Sequence, residues 1–313
     1  MPHPVGVALQ NERAEVAVRQ PGAASSATAL RPPGRALGQR APLVSVVLPT
    51  YNRAGYVAES LESCLRQTYP NLELIVVDDG SVDATEQIVR SYPDARIHYL
   101  RKHRNEGLPE ALNTGFALAS GDYLTWTSDD NRYAPEAIET MLGFLEAHPE
   151  VDFVYAGMYR IDEQGHCAGR WLPGPPAELY KENRVGACFL YRRRVYEVIG
   201  RFDPRYTLAE DYEYWLRVMQ QFRMCALEAP LLHYRRHKAA LGCVYPEAVR
   251  AVTRRVRRDA ARRWPLDKRM ATMLRDSALG DLAVFLSSIR HGRLGLRTRL
   301  RRTLQGIMSL WNV

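Results

Sequence analysis

Two pairs of adjacent aspartates, Asp78-Asp79 and Asp129-Asp130, each follow an apolar, β-rich run. A carboxylate placed there can accept a hydrogen bond from a base or a ribose, or hold a hard cation. A diphosphate would be repelled by carboxylates unless a divalent ion bridged the two. Mg2+ and Mn2+ suit that place, because they prefer oxygen ligands and often keep only one or two protein carboxylates. Tyr51, just past an earlier apolar run, could stack on a base. Each piece alone has a plainer account. Asp78-Asp79-Gly80-Ser81 is also an Asx turn leading into a helix, and Ser128-Asp129-Asp130-Asn131 is also a turn with an aspartate as helix cap. Asp211 opens an amphipathic segment, where an acidic residue complements the helix dipole.

To bring these groups together the chain needs a particular architecture. Residues 44–48 read as a short buried strand stopped by Pro49. An amphipathic helix opens near Gly55, with Val57, Leu61, Cys64 and Leu65 at i, i+4, i+7 and i+8. Further strands read at 72–77, 97–100 and 123–127. Helices fill the intervals: one capped by Asp83, one over 108–118 that turns Leu112 and Gly115 toward the sheet, and one with Pro135 at its first position. Alternation of strands and helices implies a parallel sheet covered on both faces. Right-handed crossovers then gather the C-terminal strand ends on one edge. The polar clusters at 49–52, 78–81 and 128–131 fall on that edge, where open α/β sheets bind ligands. Beyond residue 151 the pattern changes, with strands at 151–159 and 187–191, a helix over 209–221 and mostly helix from Pro246.

Bulk properties set the frame. The chain has 313 residues, 46% hydrophobic and 25% charged, which fits a globular α/β domain with appendages. The net charge is +8, and arginine crowds the C-terminal third. A solvated helix face accounts for that excess; contact with acidic lipid is the alternative, and nucleic acid is not expected. The five cysteines include no C-x-x-C pair, so a zinc ribbon or redox motif is not expected, and reduced thiols point to a cytoplasmic setting. No apolar run reaches the roughly 18–20 residues that cross a bilayer, and the N-terminus carries no signal-peptide h-region. No G-x-G-x-x-G follows the first strand, which argues against a dinucleotide cofactor, and no G-x-x-x-x-G-K-[ST] is present.

Taken in order, the motifs are more specific than any one of them. Pro49-Thr50-Tyr51-Asn52-Arg53, Gln67-Thr68-Tyr69-Pro70-Asn71, Val76-Val77-Asp78-Asp79-Gly80-Ser81, Asn105-Glu106-Gly107-Leu108, Gly121-Asp122-Tyr123 through Asp129-Asp130-Asn131, Ala209-Glu210-Asp211-Tyr212 and Tyr234-Arg235-Arg236-His237 together resemble family-two glycosyltransferases with the GT-A fold. The Ser128-Asp129-Asp130 version is similar to that of spore-coat-type members, with Ser128 where the family's first D-x-D aspartate usually stands. The resemblance covers about residues 43–240. It implies a Rossmann-like, mostly parallel sheet with helices on both faces, an acceptor-side extension and a helical C-terminal tail. The expected divisions are a disordered leader at 1–40, a GT-A domain at 41–240 and a basic helical extension at 241–313. Within the domain, 41–135 is the nucleotide-sugar half and 136–240 the acceptor half.

The resemblance also implies roles. Pro49, Thr50, Tyr51 and Asn52 would border the nucleotide sugar, with Asp79 on the base side and Asp129 on the ribose side. Asp130 would hold Mg2+ or Mn2+, joined by His237, for which a plain structural histidine is an equal account. Asp211 would be the general base of an inverting transfer to an acceptor hydroxyl. Glu210 and Arg192 would lie on the acceptor side. Trp126 and Trp215 are expected in the core, while the Pro/Gly-rich loop at 171–176 could cover the acceptor. The expected donor is a nucleoside-diphosphate sugar, UDP first. The expected acceptor is a saccharide or a lipid-linked one, in cell-surface polysaccharide or glycoconjugate synthesis. The protein would be cytoplasmic, with peripheral contact at the inner membrane face through residues 278–310. Two other readings remain open: a nucleotidyltransferase on a similar sheet, and a catalytically inactive nucleotide-binding protein with a basic membrane- or nucleic-acid-binding tail.

Overall fold

The computed structural model describes residues 40–264. Residues 1–39 of the leader expected at 1–40, and residues 265–313 of the extension expected at 241–313, with its membrane contact at 278–310, lie outside them. The first half runs β1 (Val44–Thr50), α1 (Val57–Leu65), β2 (Leu72–Asp78), α2 (Thr85–Arg90), β3 (Ile97–Arg101), α3 (Leu108–Leu118) and β4 (Tyr123–Trp126). The second half adds β5 (Arg132–Tyr133), α4 (Ala137–Ala147), β6 (Phe153–Ile161), β7 (Cys167–Trp171), β8 (Phe189–Arg192), α5 (Arg193–Ile199), α6 (Glu210–Gln221), β9 (Met224–Arg235), α7 (Leu241–Val244) and α8 (Pro246–Arg263). Short 3-10 turns lie at Pro176–Tyr180 and Pro204–Tyr206. No helix among the described residues is long and apolar enough to cross a membrane.

One sheet holds the molecule together, in the order β3-β2-β1-β4-β8-β6-β9-β5, with β7 paired to β6. The β3-β2-β1-β4 half is parallel throughout, and β1 is buried along its whole length. This is the Val/Ile/Leu-rich pattern of a strand covered on both faces. Alternate residues feed two cores. Val47, Ile75 and Val77 pack with Leu112, Phe116 and Trp215. Val46, Leu48 and Val76 pack on the other face with Leu61, Met141 and Leu142. The second half mixes directions: β8 runs antiparallel to β4 and β6, while β9 returns parallel to β6. That long return brings the chain after β9 back beside the β4 end.

Two expectations need correction. Pro49 does not stop the first strand; β1 continues to Thr50, with Pro49 opposite Val77. The β4 partner ends at Trp126, opposite Val47, so the donor that Pro49 lacks costs no ladder bond on that side. Arg192 is not at the acceptor side. It pairs with Tyr123 at the start of β4, the opposite end from Asp129-Asp130. Its guanidinium donates to the Tyr123 hydroxyl at 2.7 Å and to the Leu145 and Val151 carbonyls at 2.6 and 3.1 Å. Those bonds fasten α4 and the β6 approach to the sheet.

Helix α3 packs unusually close to the sheet through Gly115. A Cβ there would stand 2.3 Å from Val47 Cγ1 and 3.2 Å from Val77 Cγ2. Gly115→Ala should therefore destabilise the fold by about 1–3 kcal/mol through overpacking. Urea unfolding of the purified variant checks this, and an unchanged midpoint would mean that α3 shifts at no cost.

Candidate active site

The β1 and β2 ends are stitched into one surface by side chain–backbone bonds. Asn52 adopts φ +51°, a left-handed conformation that asparagine tolerates. Its amide N–H donates to Ser81 Oγ at 2.9 Å, and its Oδ1 accepts from Val82 N at 2.9 Å. Arg53 N donates to Thr85 Oγ1 and Ala54 N to Asp83 Oδ2, both at 3.0 Å. Thr50 and Pro49 end β1 beside this seam, and Tyr51 is exposed beyond them. Asp78 is buried and accepts from Ser81 N and the Tyr99 hydroxyl, each at 2.7 Å.

Asp79 does something the sequence did not announce. Its carboxylate accepts from Glu106 N, from Gly107 N at 2.7 Å and from Lys102 Nζ at 2.8 Å. It therefore shapes the 104–107 loop. Gly80, at φ +85°, passes so close that a Cβ would meet the Arg104 backbone carbon at 2.9 Å. Asp79 stands at the expected end of β2, with its acceptor capacity spent on that loop.

The β4 end carries the second acidic pair. Asp129 is buried, 3.6 Å from Arg53 Nε and 3.4 Å from the Tyr51 amide. Burial first, and then the Asp130 charge, push its carboxyl above the usual range against the pull of Arg53. Asp130 Oδ2 lies 2.9 Å from His237 Nε2. The Ser128 carbonyl accepts from Ser60 Oγ of α1 at 3.0 Å. Beneath the pair sits Arg235, 2% exposed. It donates to the Asp130, Asp162 and Glu163 carbonyls and to Glu59 Oε2 at 2.6 Å. The Tyr56 ring lies 5.1 Å from that guanidinium and 4.7 Å from the His237 ring. Nearby, Asn131 Oδ1 accepts from Arg235 N at 3.0 Å.

Helix α6 begins at Glu210, two residues after Leu208, which adopts φ +79°. Asp211 Oδ1 accepts from Tyr212 N and Oδ2 from Asn183 Nδ2, each at 2.7 Å. Burial raises the Asp211 carboxyl despite those bonds. Glu210 is raised too, by burial first and then by the Asp211 charge, and its Oε2 has no hydrogen-bond partner. Burial first, and then the charges of Asp130 and Asp211, raise the Tyr234 hydroxyl. Trp126 and Trp215 are buried in the core, as expected.

Among the described residues no three His, Cys, Asp or Glu side chains converge as a metal cage. Asp130 and His237 nevertheless suit a Mg2+ or Mn2+ that takes the rest of its shell from phosphate and water. Asp129 is raised mainly by burial and only second by the Asp130 charge, the part that a cation at Asp130 would relieve. Three contributors escaped the sequence reading. Arg235 lay inside a quoted motif without a role, Tyr234 beside it, and Asn183 in a loop with no pattern to mark it.

Residues 45–200 match Glycosyl transferase family 2. An uncharacterized glycosyltransferase of Rickettsia prowazekii is 36% identical over 193 residues, 56% of this chain and 58% of that protein. The chain therefore spans little more than half the length of that relative. EpsE of Bacillus subtilis is 32% identical over 203 residues, 62% of this chain and 73% of that protein. WcaA of Escherichia coli, described as a colanic acid biosynthesis glycosyl transferase, is 30% identical, with 58% and 67% covered. Among solved structures, S. aureus TarS in complex with UDP-GlcNAc superposes with a TM-score of 0.56 at 22% identity, covering 68% of this chain and 65% of that one. The mannosyltransferase PcManGT of Pyrobaculum calidifontis, in complex with GDP-Man and Mn2+, gives 0.52 at 21% identity, covering 87% and 88%. The fold is GT-A.

The raised Glu210 carboxyl has a consequence for stability. In the unfolded chain it titrates near about 4.3. The folded state holds the proton to higher pH, so this group's contribution is full below about pH 4 and is lost as pH rises through the folded value. Glu210→Gln should leave the melting temperature unchanged near pH 4 and raise it near pH 8. Melting curves across that range check the sign, and a variant less stable at pH 8 would contradict it.

Proposed function

We propose a reaction for this chain from the premise that it belongs to glycosyl transferase family 2: an inverting, metal-assisted transfer of a sugar from a nucleoside-diphosphate sugar to an acceptor hydroxyl. One observation carries the reading. Asp130, in the loop after β4, lies 2.9 Å from His237 Nε2 as a pair able to hold a cation, while Asp211 at the start of α6 is a carboxylate held by neutral donors alone, the Tyr212 amide and Asn183 Nδ2. A single displacement needs the leaving diphosphate and the base on opposite faces of the anomeric carbon. In the proposed reaction Asp130 stands on the leaving-group side and Asp211 on the acceptor side.

On the donor side Tyr51 stacks on the base, and Pro49, Thr50 and Asn52 line the seam beneath it. Asp129 receives the ribose, and Asp79 acts through the loop it shapes. Asp130, with His237, would hold a divalent cation, which supplies neutralisation of the departing diphosphate. Asp211 Oδ2 takes the proton of the acceptor hydroxyl. The acceptor oxygen forms the new bond to the anomeric carbon as the bond to the diphosphate breaks, and the electron pair leaves with the diphosphate. Glu210, next to the base, faces the acceptor. TarS with UDP-GlcNAc supports a UDP-sugar donor, while PcManGT with GDP-Man and Mn2+ supports the cation. The description of WcaA supports an acceptor in cell-surface polysaccharide synthesis.

Asp130→Ala should abolish Mn2+-dependent release of UDP from UDP-GlcNAc, and Asp211→Asn should cut it by about 10²–10⁴-fold while UDP binding by calorimetry persists. Near-normal turnover in Asp211→Asn would remove it as the base. Pyrophosphate release from a nucleoside triphosphate would instead indicate a nucleotidyltransferase. Failure to bind any nucleoside diphosphate with Mn2+ would indicate an inactive relative.

We place the protein at the inner face of the membrane, with a lipid-linked or saccharide acceptor. Arg250, Arg254, Arg258 and Arg262 of α8 are exposed at four-residue spacing, and Leu241, Val244 and Tyr245 are exposed just before them. That surface suits anionic lipid. The protein should sediment with vesicles containing phosphatidylglycerol and not with pure phosphatidylcholine, and Arg254→Glu with Arg258→Glu should release it. Equal recovery in both supernatants would place the enzyme away from membranes.

A further inference from the structure

The chain between β7 and β8 touches the proposed base through one side chain. Asn183 Nδ2 donates to Asp211 Oδ2 at 2.7 Å, while Asn183 Oδ1 accepts from Val185 N at 3.2 Å. The two partners settle which way the amide faces. A backbone N–H only donates and an ionised carboxylate only accepts, so the NH2 end must point to Asp211. The other oxygen of Asp211 is bound to the Tyr212 amide at 2.7 Å. Both carboxylate oxygens are thereby held, and the free lone pair of Oδ2 has a fixed direction.

The loop that carries Asn183 is itself fastened. Gly174 O accepts from the Tyr155 hydroxyl at 2.6 Å, and Lys181 O accepts from Arg257 of α8 at 2.8 Å. Leu179 and Val185 are buried on either side of Asn183. Gly186 follows at φ +71°, where a Cβ would come within 2.9 Å of the Trp171 ring. Gly186 therefore packs the turn closely against Trp171, and in that arrangement Asn183 reaches Asp211.

We propose that Asn183 is a positioning residue for Asp211, so that the loop over residues 172–188 and the carboxylate that acts as base are set together. This rests on the reading of Asp211 as the base. Asn183, like the Tyr212 amide, favours the ionised carboxylate with a hydrogen bond, in a place where burial opposes ionisation. Glu210 on the same helix, Tyr212 next in sequence and Tyr234 of β9 are titratable groups on which the Asp211 charge acts. Asn183 is the neutral donor among them. A loop displaced from Trp171 would withdraw that donor and move Asp211 toward its protonated form, so the base would be most competent while the loop over residues 172–188 is seated.

The direct readout needs no substrate. Aspartate carboxyls labelled with 13C are titrated by NMR, and the Asp211 signal is assigned by its loss in Asp211→Asn. Asn183→Ala should raise the Asp211 midpoint by about one to two pH units, the worth of one hydrogen bond to a charged group. Asn183→Asp keeps the shape, brings a second carboxylate, and should raise it further; it carries the test should the alanine variant fold poorly. The acidic limb of UDP release from UDP-GlcNAc should move by the same amount, with the KM for UDP-GlcNAc within about threefold of the parent. An unmoved midpoint in both variants overturns the proposal. A moved midpoint with full turnover in Asp211→Asn would leave the Asn183–Asp211 coupling standing and remove the base reading instead.

Discussion

A guanidinium almost without access to water is the constraint on which the cleft depends. Removing a charge from water costs several kcal/mol unless every proton finds a partner. Arg235 meets that demand with three carbonyls, the Glu59 carboxylate and the face of Tyr56. None of these partners is its neighbour in sequence. Satisfying the charge therefore fixes, in one stroke, the Asp130 backbone, the turn after β6, and the first turns of α1 against the end of β9. His237 follows two residues later and inherits its place beside Asp130 from that arrangement.

The cleft is built against its own electrostatics. Asp129, Glu210 and Asp211 are all held where ionisation is disfavoured, by burial above all. A free protein has little to gain from such crowding. A site that receives a cation and a diphosphate on one side, and takes a proton from a hydroxyl on the other, has use for both. The basic groups nearby are spent locally: Lys102 on Asp79 and Glu106, Arg53 on Asp129 and the Ala239 carbonyl.

The parallel half of the sheet was legible because its signal is short-range. The Leu/Ile/Val-rich run that ends in Asp78-Asp79, and the Tyr-Leu-Thr-Trp strand that shortly precedes Asp129-Asp130, mark both the strands and the edge where they end. Val46 and Val47 alternate between two cores as a strand must. The second half was less legible, because β9 pairs with β6 over a long separation and no local periodicity encodes that choice. Arg192 shows the limit. Its neighbours in sequence suggested an acceptor strand, but the register set it at the wrong end. Asn183 had no signal at all, since its role exists only once the loop is folded against α6.

The separations spanned by Arg235 also order events in time. The four parallel strands and their helices close mostly short loops, and such contacts form early as a chain emerges and folds. The bond from Arg235 to Glu59 spans 176 positions. Until β9 is made and inserted between β6 and β5, the Asp130 loop lacks its anchor and His237 has no place to stand. Completion of the Asp130 loop therefore depends on a contact of long separation in sequence, whereas neighbouring parallel strands close over shorter ones.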